Sequence, residues 1–369
     1  MDDSNKKLFG GDLFGGDAAP KGGGPLAKRF KFPPFTTWSA RDGAWQERKR
    51  AWLALGIESE LGRGLDAGGD DLLFSSQSQS RLNEIMAQKS SPGGSRMPAT
   101  DYGKGERGDG KGRPAGGMEK GLTYGEFNPD ISGPKSGTSI FDPVVCELAY
   151  SWFCPPGGEV LDPFAGGSVR GIVASKLGRH YHGIDLRPEQ VKANRAQAEE
   201  LCGAPIPVWI EGDSVRLADH YPGGADFIFS CPPYGNLEVY SDDPADLSAM
   251  DWGSFTMAYT SIIGAAVAAL APDRFACFVV GDFQCPKGNY RNFPGLTVSA
   301  FQAAGAALYN EAILLTAIGS LPVRVSSQFD VSRKLGKAHQ NILVFVKGDA
   351  RAAATACMTD PKTKGEGDG

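Results

Sequence analysis

Asp162-Pro163-Phe164-Ala165-Gly166-Gly167-Ser168 and Cys231-Pro232-Pro233-Tyr234 decide how this 369-residue chain is read. The first run follows Glu159-Val160-Leu161, a short apolar strand ending on Asp162. It precedes residues 169–177, where Ile172, Val173, Ala174 and Leu177 recur at helical spacing. A strand, a Gly-rich turn and a helix form the unit in which backbone N–H groups face a ligand at the strand's carboxyl end. Tyr181-His182-Gly183-Ile184 reads as a second strand and ends on Asp185. An acid at about 20 residues past such a turn is positioned to accept hydrogen bonds from ribose hydroxyls. A second helical stretch, 187–201, has Pro188 at its start. Val208-Trp209-Ile210 is a third strand, followed by Glu211-Gly212-Asp213-Ser214, and 226–229 is a fourth that delivers Cys231-Pro232-Pro233-Tyr234. The βαβαβ alternation predicts an α/β protein with a doubly wound parallel sheet. The turn lacks the G-x-G-x-x-G spacing of dinucleotide sites, which argues against a nicotinamide dehydrogenase.

The two runs, in this order and embedding, resemble motifs I and IV of the S-adenosylmethionine-dependent amino-methyltransferases that act on exocyclic nitrogens of nucleic-acid bases. Upstream, Thr138-Ser139-Ile140-Phe141-Asp142-Pro143 leads into a helical run, 144–153, and resembles motif X. Asp142-Pro143 is at the same time an ordinary helix start, with Asp capping and Pro in the first turn. The resemblance implies a Rossmann-like methyltransferase sheet with a C-terminal reversed β-hairpin, and S-adenosylmethionine as cofactor without a metal. It implies Thr138, Phe141, Asp162, Phe164, Ala165, Gly166, Gly167 and Asp185 around that cofactor, with Asp213 on its adenine amino group. It also implies Cys231, Pro232, Pro233 and Tyr234 as the catalytic corner. The pattern is similar to phage and prophage DNA methylases of the N4/N6 group, over residues 30–64 and 136–348. The implied reaction is methylation of cytosine N4 or adenine N6 on a base flipped out of double-stranded DNA.

The corner suits that chemistry. An exocyclic amine is a poor nucleophile because its lone pair is delocalised into the ring. The side chain before the prolines and the carbonyl of Pro232 can accept its N–H hydrogens. Prolines donate no N–H and fix φ, which leaves the carbonyls free and the corner stiff. Tyr234 offers a flat face to the base, and direct transfer is then mostly a matter of positioning. The related families carry Asp, Asn or Ser where this chain has Cys231, and a thiol is a weak acceptor. Three readings of Cys231 stay open: a weak polar contact to the amine with a tilt toward cytosine, a thiolate nucleophile adding to a pyrimidine ring, and a small buried residue. An RNA base methyltransferase, a protein-glutamine methyltransferase and a DNA-binding module with a degenerate site are the alternative functions.

Five segments are expected: a disordered tail at 1–29, a small helical element at 30–86, a flexible Gly/Ser/Lys linker at 87–135, the methyltransferase domain at 136–348 and a disordered tail at 349–369. The first tail holds a tandem repeat, Leu8-Phe9-Gly10-Gly11-Asp12 and Leu13-Phe14-Gly15-Gly16-Asp17, a candidate peptide for docking on a partner. Residues 43–61 read as a helix carrying Trp45, Arg48, Lys49 and Trp52 on neighbouring faces. That helix either grips a nucleic-acid backbone or packs its tryptophans on the catalytic domain. Downstream, 257–270 reads as a helix, and 274–280, 312–317 and 341–347 as strands. The loop 323–340 carries Arg324, Arg333, Lys334, Lys337 and His339, a basic rim suited to phosphates. Net charge is −5, yet residues 18–121 carry 17 basic and 12 acidic side chains, as a tethering arm for DNA would. Seven cysteines without C-x-x-C pairing indicate neither a zinc site nor a disulfide framework. No run reads as a membrane span or signal peptide, so a cytoplasmic location is expected, with a restriction-modification or phage setting implied by the resemblance.

Overall fold

Strands β1 (Thr37–Ser39), β2 (Glu159–Asp162), β3 (His180–Asp185), β4 (Val208–Glu211), β5 (Ala225–Ser230), β6 (Leu270–Val280), β7 (Ala307–Leu315) and β8 (His339–Lys347) form one sheet in the order β1-β7-β8-β6-β5-β2-β3-β4. The computed structural model describes residues 25–58, 141–235, 241, 243–318 and 321–358. Every pairing is parallel except those of β8, which runs antiparallel to both β6 and β7. The doubly wound Rossmann-like sheet and its reversed hairpin are therefore present. The helices are α1 (Pro25–Phe30), α2 (Gly43–Leu53), α3 (Pro143–Phe153), α4 (Val169–Lys176), α5 (Pro188–Leu201), α6 (Leu217–His220), α7 (Trp252–Ala269), α8 (Phe293–Ala303), α9 (Leu321–Ser332) and α10 (Ala350–Met358).

Both faces of the sheet are covered. Phe227 and Phe229 of β5 join the core that holds Leu148, Tyr150, Ile172 and Trp209, while Ile228 points into the core of Phe255, Tyr259, Ile262, Phe278 and Phe301. A strand's side chains alternate between faces. With both faces buried, the strand reads as a continuous apolar run, which is why β5 was legible as a central parallel strand.

Three points of the sequence reading are settled or corrected. First, of the two readings of the N-terminal helix, the structure shows the one in which its tryptophans pack on the chain's own core. β1 pairs in parallel with β7 and extends the sheet. Trp45 and Trp52 are buried, and their indole N–H groups donate to Asp142 Oδ2 at 3.1 Å and to Glu147 Oε2 at 2.9 Å. Arg48 and Lys31 also bind Glu147, and Lys49 lies 3.4 Å from Asp142. Burial alone would raise the Glu147 carboxyl, but the hydrogen bonds and charges of Arg48, Lys31 and Trp52 hold it below its ordinary value. Aromatic and basic side chains alternate on α2 because one set fills a core and the other neutralises a buried acid. The helix ends at Leu53 rather than Leu61, and Gly56 follows with φ +90°.

Second, residues 349–369 are not wholly a tail. α10 covers Ala350–Met358, with Ala353 fully buried and Asp349 capping it through the Ala352 N–H at 2.7 Å. Third, the basic stretch 323–340 is helical in its first part, as α9. Thr138, the Leu8-Phe9/Leu13-Phe14 repeat and the linker 87–135 lie outside the described residues.

Candidate active site

The chain leaves β2 toward β3 on one side, and β5 lies on the other. Such a reversal of strand order opens a crevice at the carboxyl ends of the two strands. The Gly-rich turn leaves β2 and the Cys-Pro-Pro-Tyr corner leaves β5, with Leu161 opposite Ile228 in the register. Ser230 Oγ, one residue before the corner, donates to Asp162 Oδ1 at 2.5 Å, one residue before the turn. Two runs 68 residues apart are thereby fixed side by side.

Asp162 is fully buried and holds the turn from beneath rather than facing the crevice. Its carboxylate accepts from Phe164 N at 3.1 Å, Ser230 Oγ at 2.5 Å, Tyr181 Oη at 2.7 Å and Arg170 Nε at 2.5 Å. Four donors saturate its acceptor capacity, so Asp162 shapes the turn by positioning it. Arg170 reaches back from the first turn of α4 and donates through Nη2 to the carbonyls of Phe164 and Ala165. Burial alone would lower the Arg170 guanidinium, but the charge and hydrogen bond of Asp162, together with the nearby Tyr181 and Cys231, hold it above its ordinary pKa. Its Cζ lies 4.9 Å from the Phe141 ring centroid, which packs edge-on against Phe229.

The remaining carbonyls of the turn are also engaged. Ser214 Oγ donates to Pro163 O at 2.6 Å and Asn194 Nδ2 to Gly166 O at 2.7 Å. Ala165 N donates to Ile184 O at 3.0 Å. Gly166 has φ +52°, a conformation that L side chains avoid. Gly167 and Ser168 lead directly into α4. With its carbonyls and the N–H groups of Phe164, Ala165 and Gly166 tied inward, the turn is a stiff rim that leads through Gly167 and Ser168 into the N-terminus of α4, the end of a helix that favours an anionic or polar ligand. The Phe164 ring is half-buried, 5.8 Å from Tyr259 and 6.2 Å from Phe278.

Asp185 stands at the end of the neighbouring strand. Its oxygens accept from Gly166 N at 2.9 Å and Arg187 N at 2.9 Å, which leaves further lone pairs for a ligand. Burial pushes its carboxyl above the ordinary value, against the charge of Arg187 and the two backbone N–H groups. Asp213 follows β4 and caps the next turn through Val215 N at 2.9 Å. Gly212 N donates to Asp185 O at 3.0 Å, so the two acids sit on adjacent strand ends.

At the corner, Pro232 is buried, while Cys231, Pro233 and Tyr234 are half-buried. The Cys231 sulfur lies 3.7 Å from Tyr234 Oη. Gln340 Nε2, from β8, donates to the same hydroxyl at 2.8 Å. Because that N–H occupies one lone pair, the tyrosine proton can point toward the sulfur. Burial raises the Tyr234 phenol, and Cys231 raises it further, so it stays protonated. The ring packs edge-on against Phe293 at 6.0 Å and tilted to Phe283 at 6.4 Å. Among the described residues no group of three or more His, Cys, Asp or Glu could hold a metal ion, and no helix is long and apolar enough to cross a membrane.

Sequence reasoning missed Arg170, Tyr181, Asn194, Ser214, Ser230 and Gln340. Ser230 adjoins the corner and Arg170 lies in the first turn of α4, two residues past Ser168, so both had a local signal. Gln340 had none, being 106 residues from its partner.

No family model matches the chain. No curated protein matches it either. Among solved structures, it is similar to TrmN from Thermus thermophilus, with 18% identity and a TM-score of 0.38 over 56% of this chain and 49% of that one. The chain thus spans about half the length of that protein. A TehB-like SAM-dependent methyltransferase from Corynebacterium glutamicum gives 18% identity and 0.36 over 57% and 90%. The magnesium protoporphyrin IX methyltransferase ChlM from Synechocystis, with bound SAM, gives 13% and 0.36 over 56% and 79%. The fold assignment itself rests on the strand order and the reversed β7–β8 hairpin.

Proposed function

We propose that the protein is an S-adenosylmethionine-dependent DNA methyltransferase acting on an exocyclic amine, cytosine N4 or adenine N6. The observation that carries the reading is the hydrogen-bonded adjacency of the Gly-rich turn and the Cys231-Pro232-Pro233-Tyr234 corner at the switch point of the sheet. The donor set fits the cofactor. Asp185 keeps lone pairs for ribose hydroxyls, Asp213 stands one strand away to accept from an adenine amine, and the turn between them is held rigid by Arg170 and leads into the N-terminus of α4. Phe164, Ala165 and Gly167 belong to the same turn, and Phe141 packs against Arg170, which braces it.

When bound, the cofactor supplies an electrophilic methyl carbon whose bond to sulfur breaks as the bond to nitrogen forms. The chain's residues do the rest by positioning. The Pro232 carbonyl and the Cys231 sulfur accept the amine's hydrogens and turn its lone pair toward the methyl. Tyr234, held by Gln340, limits where the base can lie, and the amine proton leaves to water. The base enters by leaving its stack.

The test is incubation of the purified full chain with isotopically labelled S-adenosylmethionine and either duplex DNA or RNA, followed by mass spectrometry of the nucleosides. Label on N4-cytosine or N6-adenine of DNA is expected. Label confined to RNA would move the substrate, and label at a pyrimidine carbon-5 would make Cys231 a nucleophile. Cofactor binding without transfer to either polymer would leave the amide-methylating or binding-module readings. Cys231→Ser is expected to keep or raise activity, because a hydroxyl is the better acceptor; a nucleophilic role requires its loss.

A further inference from the structure

Two segments free of carboxylates meet beside the corner. Residues 283–291 form a small hairpin, closed by Arg291 N to Phe283 O at 2.9 Å and by a bridge between Gln284 and Tyr290. They carry Lys287, Tyr290 and Arg291. Residues 331–341 run from the end of α9 into β8 and carry Arg333, Lys334, Lys337 and His339. The two are stapled together: Lys334 Nζ donates to Gly288 O, and Lys334 and Lys337 both lie 5.7 Å from the centroid of the Tyr290 ring. That ring is 47% exposed.

The strip borders the site. A Cβ on Gly281, at the end of β6, would lie 3.8 Å from Lys337 Cε, from Gln340 Cγ and from Tyr234 Cζ alike, so these three side chains converge on one point. None of Lys287, Arg291, Arg333, Lys334 or Lys337 forms a salt bridge among the described residues. Arg291 lies over Trp252 at 4.5 Å, with a buried Nε that has no acceptor. Of the carboxylates, Asp282 faces Lys337, and its Oδ1 is already engaged by the N–H groups of Phe283 and Phe293. Burial lowers Lys337, and the Asp282 charge only partly opposes it. Holding this much like charge around one ring is unfavourable unless an anion completes it.

We infer that the strip Lys287–Tyr290–Arg291 with Arg333–Lys334–Lys337 binds the phosphodiester backbone of the nucleic-acid strand whose base enters the corner, with Tyr290 preorganising the two lysines. The inference rests on the proposed function and names the surface that grips its substrate. An evenly charged polyanion suits a strip with cations on both flanks of one ring, and phosphate contacts fix register without reading sequence. Cation–π packing over Tyr290 limits the entropy that lysine stems lose on binding.

The experiment measures anisotropy of labelled duplex DNA, and of RNA of the same sequence, with the full chain at about 50 to 200 mM salt. The variants are Lys334→Gln/Lys337→Gln, which removes both charges while keeping polar side chains, Tyr290→Phe, Tyr290→Ala and the remote Arg351→Ala. Each lost phosphate contact lowers the log–log salt slope by about 1. The double variant should therefore lower it by about 2, so the wild type loses roughly 16-fold more affinity across that four-fold salt range than the variant does. Tyr290→Phe and Arg351→Ala should behave as wild type, and Tyr290→Ala should bind more weakly. An unchanged slope in a double variant that melts like the wild type overturns the strip while leaving the methyltransferase reading intact, provided the wild type binds and methylates. A wild type that binds neither polymer overturns both. Loss confined to one polymer identifies which backbone the strip grips.

Discussion

Arg170→Met tests whether the cofactor turn is held from below by a buried ion pair. Arg170 is 5% exposed and Asp162 0%, with Nε and Oδ2 2.5 Å apart. Methionine keeps much of the stem but removes the charge and the donors to the Phe164 and Ala165 carbonyls. Asp162 would retain Ser230, Tyr181 and the Phe164 N–H, but its charge would have no partner. Removing one member of a buried pair costs about 3–5 kcal/mol. A loss of about 4 kcal/mol is a large part of a total near 5–15 kcal/mol. At about 2–4 °C per kcal/mol for a domain of this size, the midpoint should fall by about 8–16 °C. Thermal melts of the full chain with and without S-adenosylmethionine measure this, and the ligand-induced rise should shrink because the turn is loosened. Asp162→Asn/Arg170→Met should recover part of the loss, since no isolated charge remains. A single variant melting within about 2 °C of the wild type, or a double variant as unstable as the sum of its parts, would refute the reasoning.

Gly183→Ala places a Cβ 2.8 Å from Ala165 Cβ and 2.7 Å from Tyr181 Cε1. Overpacking of this kind costs about 1–3 kcal/mol, and because Ala165 belongs to the turn, calorimetry should find cofactor affinity falling as well as the melting midpoint. Asp185 has a raised folded pKa, so its protonated form is favoured in the fold, and the stability this contributes is present below the ordinary carboxylate pKa and lost as pH rises through the raised value. Cofactor affinity should run the opposite way, increasing over that window as the carboxylate ionises to accept ribose hydroxyls; Asp185→Asn should flatten the titration. Truncation after Gly348 removes α10, in which Ala353 is buried and Ala350, Ala354 and Cys357 pack on the core. At about 0.8 kcal/mol per buried methylene-sized group, urea melts should show a loss of about 2–3 kcal/mol.

The central sheet was legible because β2, β3 and β5 are buried on both faces, so their apolar runs need no partner to be recognised. Gly166 was legible because a left-handed turn leaves few other residues possible. The N-terminal tryptophans were ambiguous for an equally physical reason. Trp45, Arg48 and Trp52 show the same spacing whether the helix lies on a nucleic acid or over Glu147, and only the position of Glu147, 95 residues beyond Trp52, decides between them. The tail helix was missed although its alanines favour helix; nine residues are too few to hold a helix alone, and packing on β6 and α3 stabilises this one.

The local chemistry of the site was therefore written in consecutive residues: a strand, a Gly turn and an acid, then a strand and a Pro-Pro-Tyr corner. Backbone geometry and strand burial act over a few residues, and sequence alone expresses them. Which acid is saturated and which keeps lone pairs was decided only by the tertiary structure. Asp162 and Asp185 end adjacent strands in the same way, but Arg170, Tyr181 and Ser230 converge on the first and saturate it, whereas the second keeps free lone pairs. Hydrogen-bond saturation is a property of neighbours brought together by folding, and so is the meeting of Lys334 and Lys337 over Tyr290.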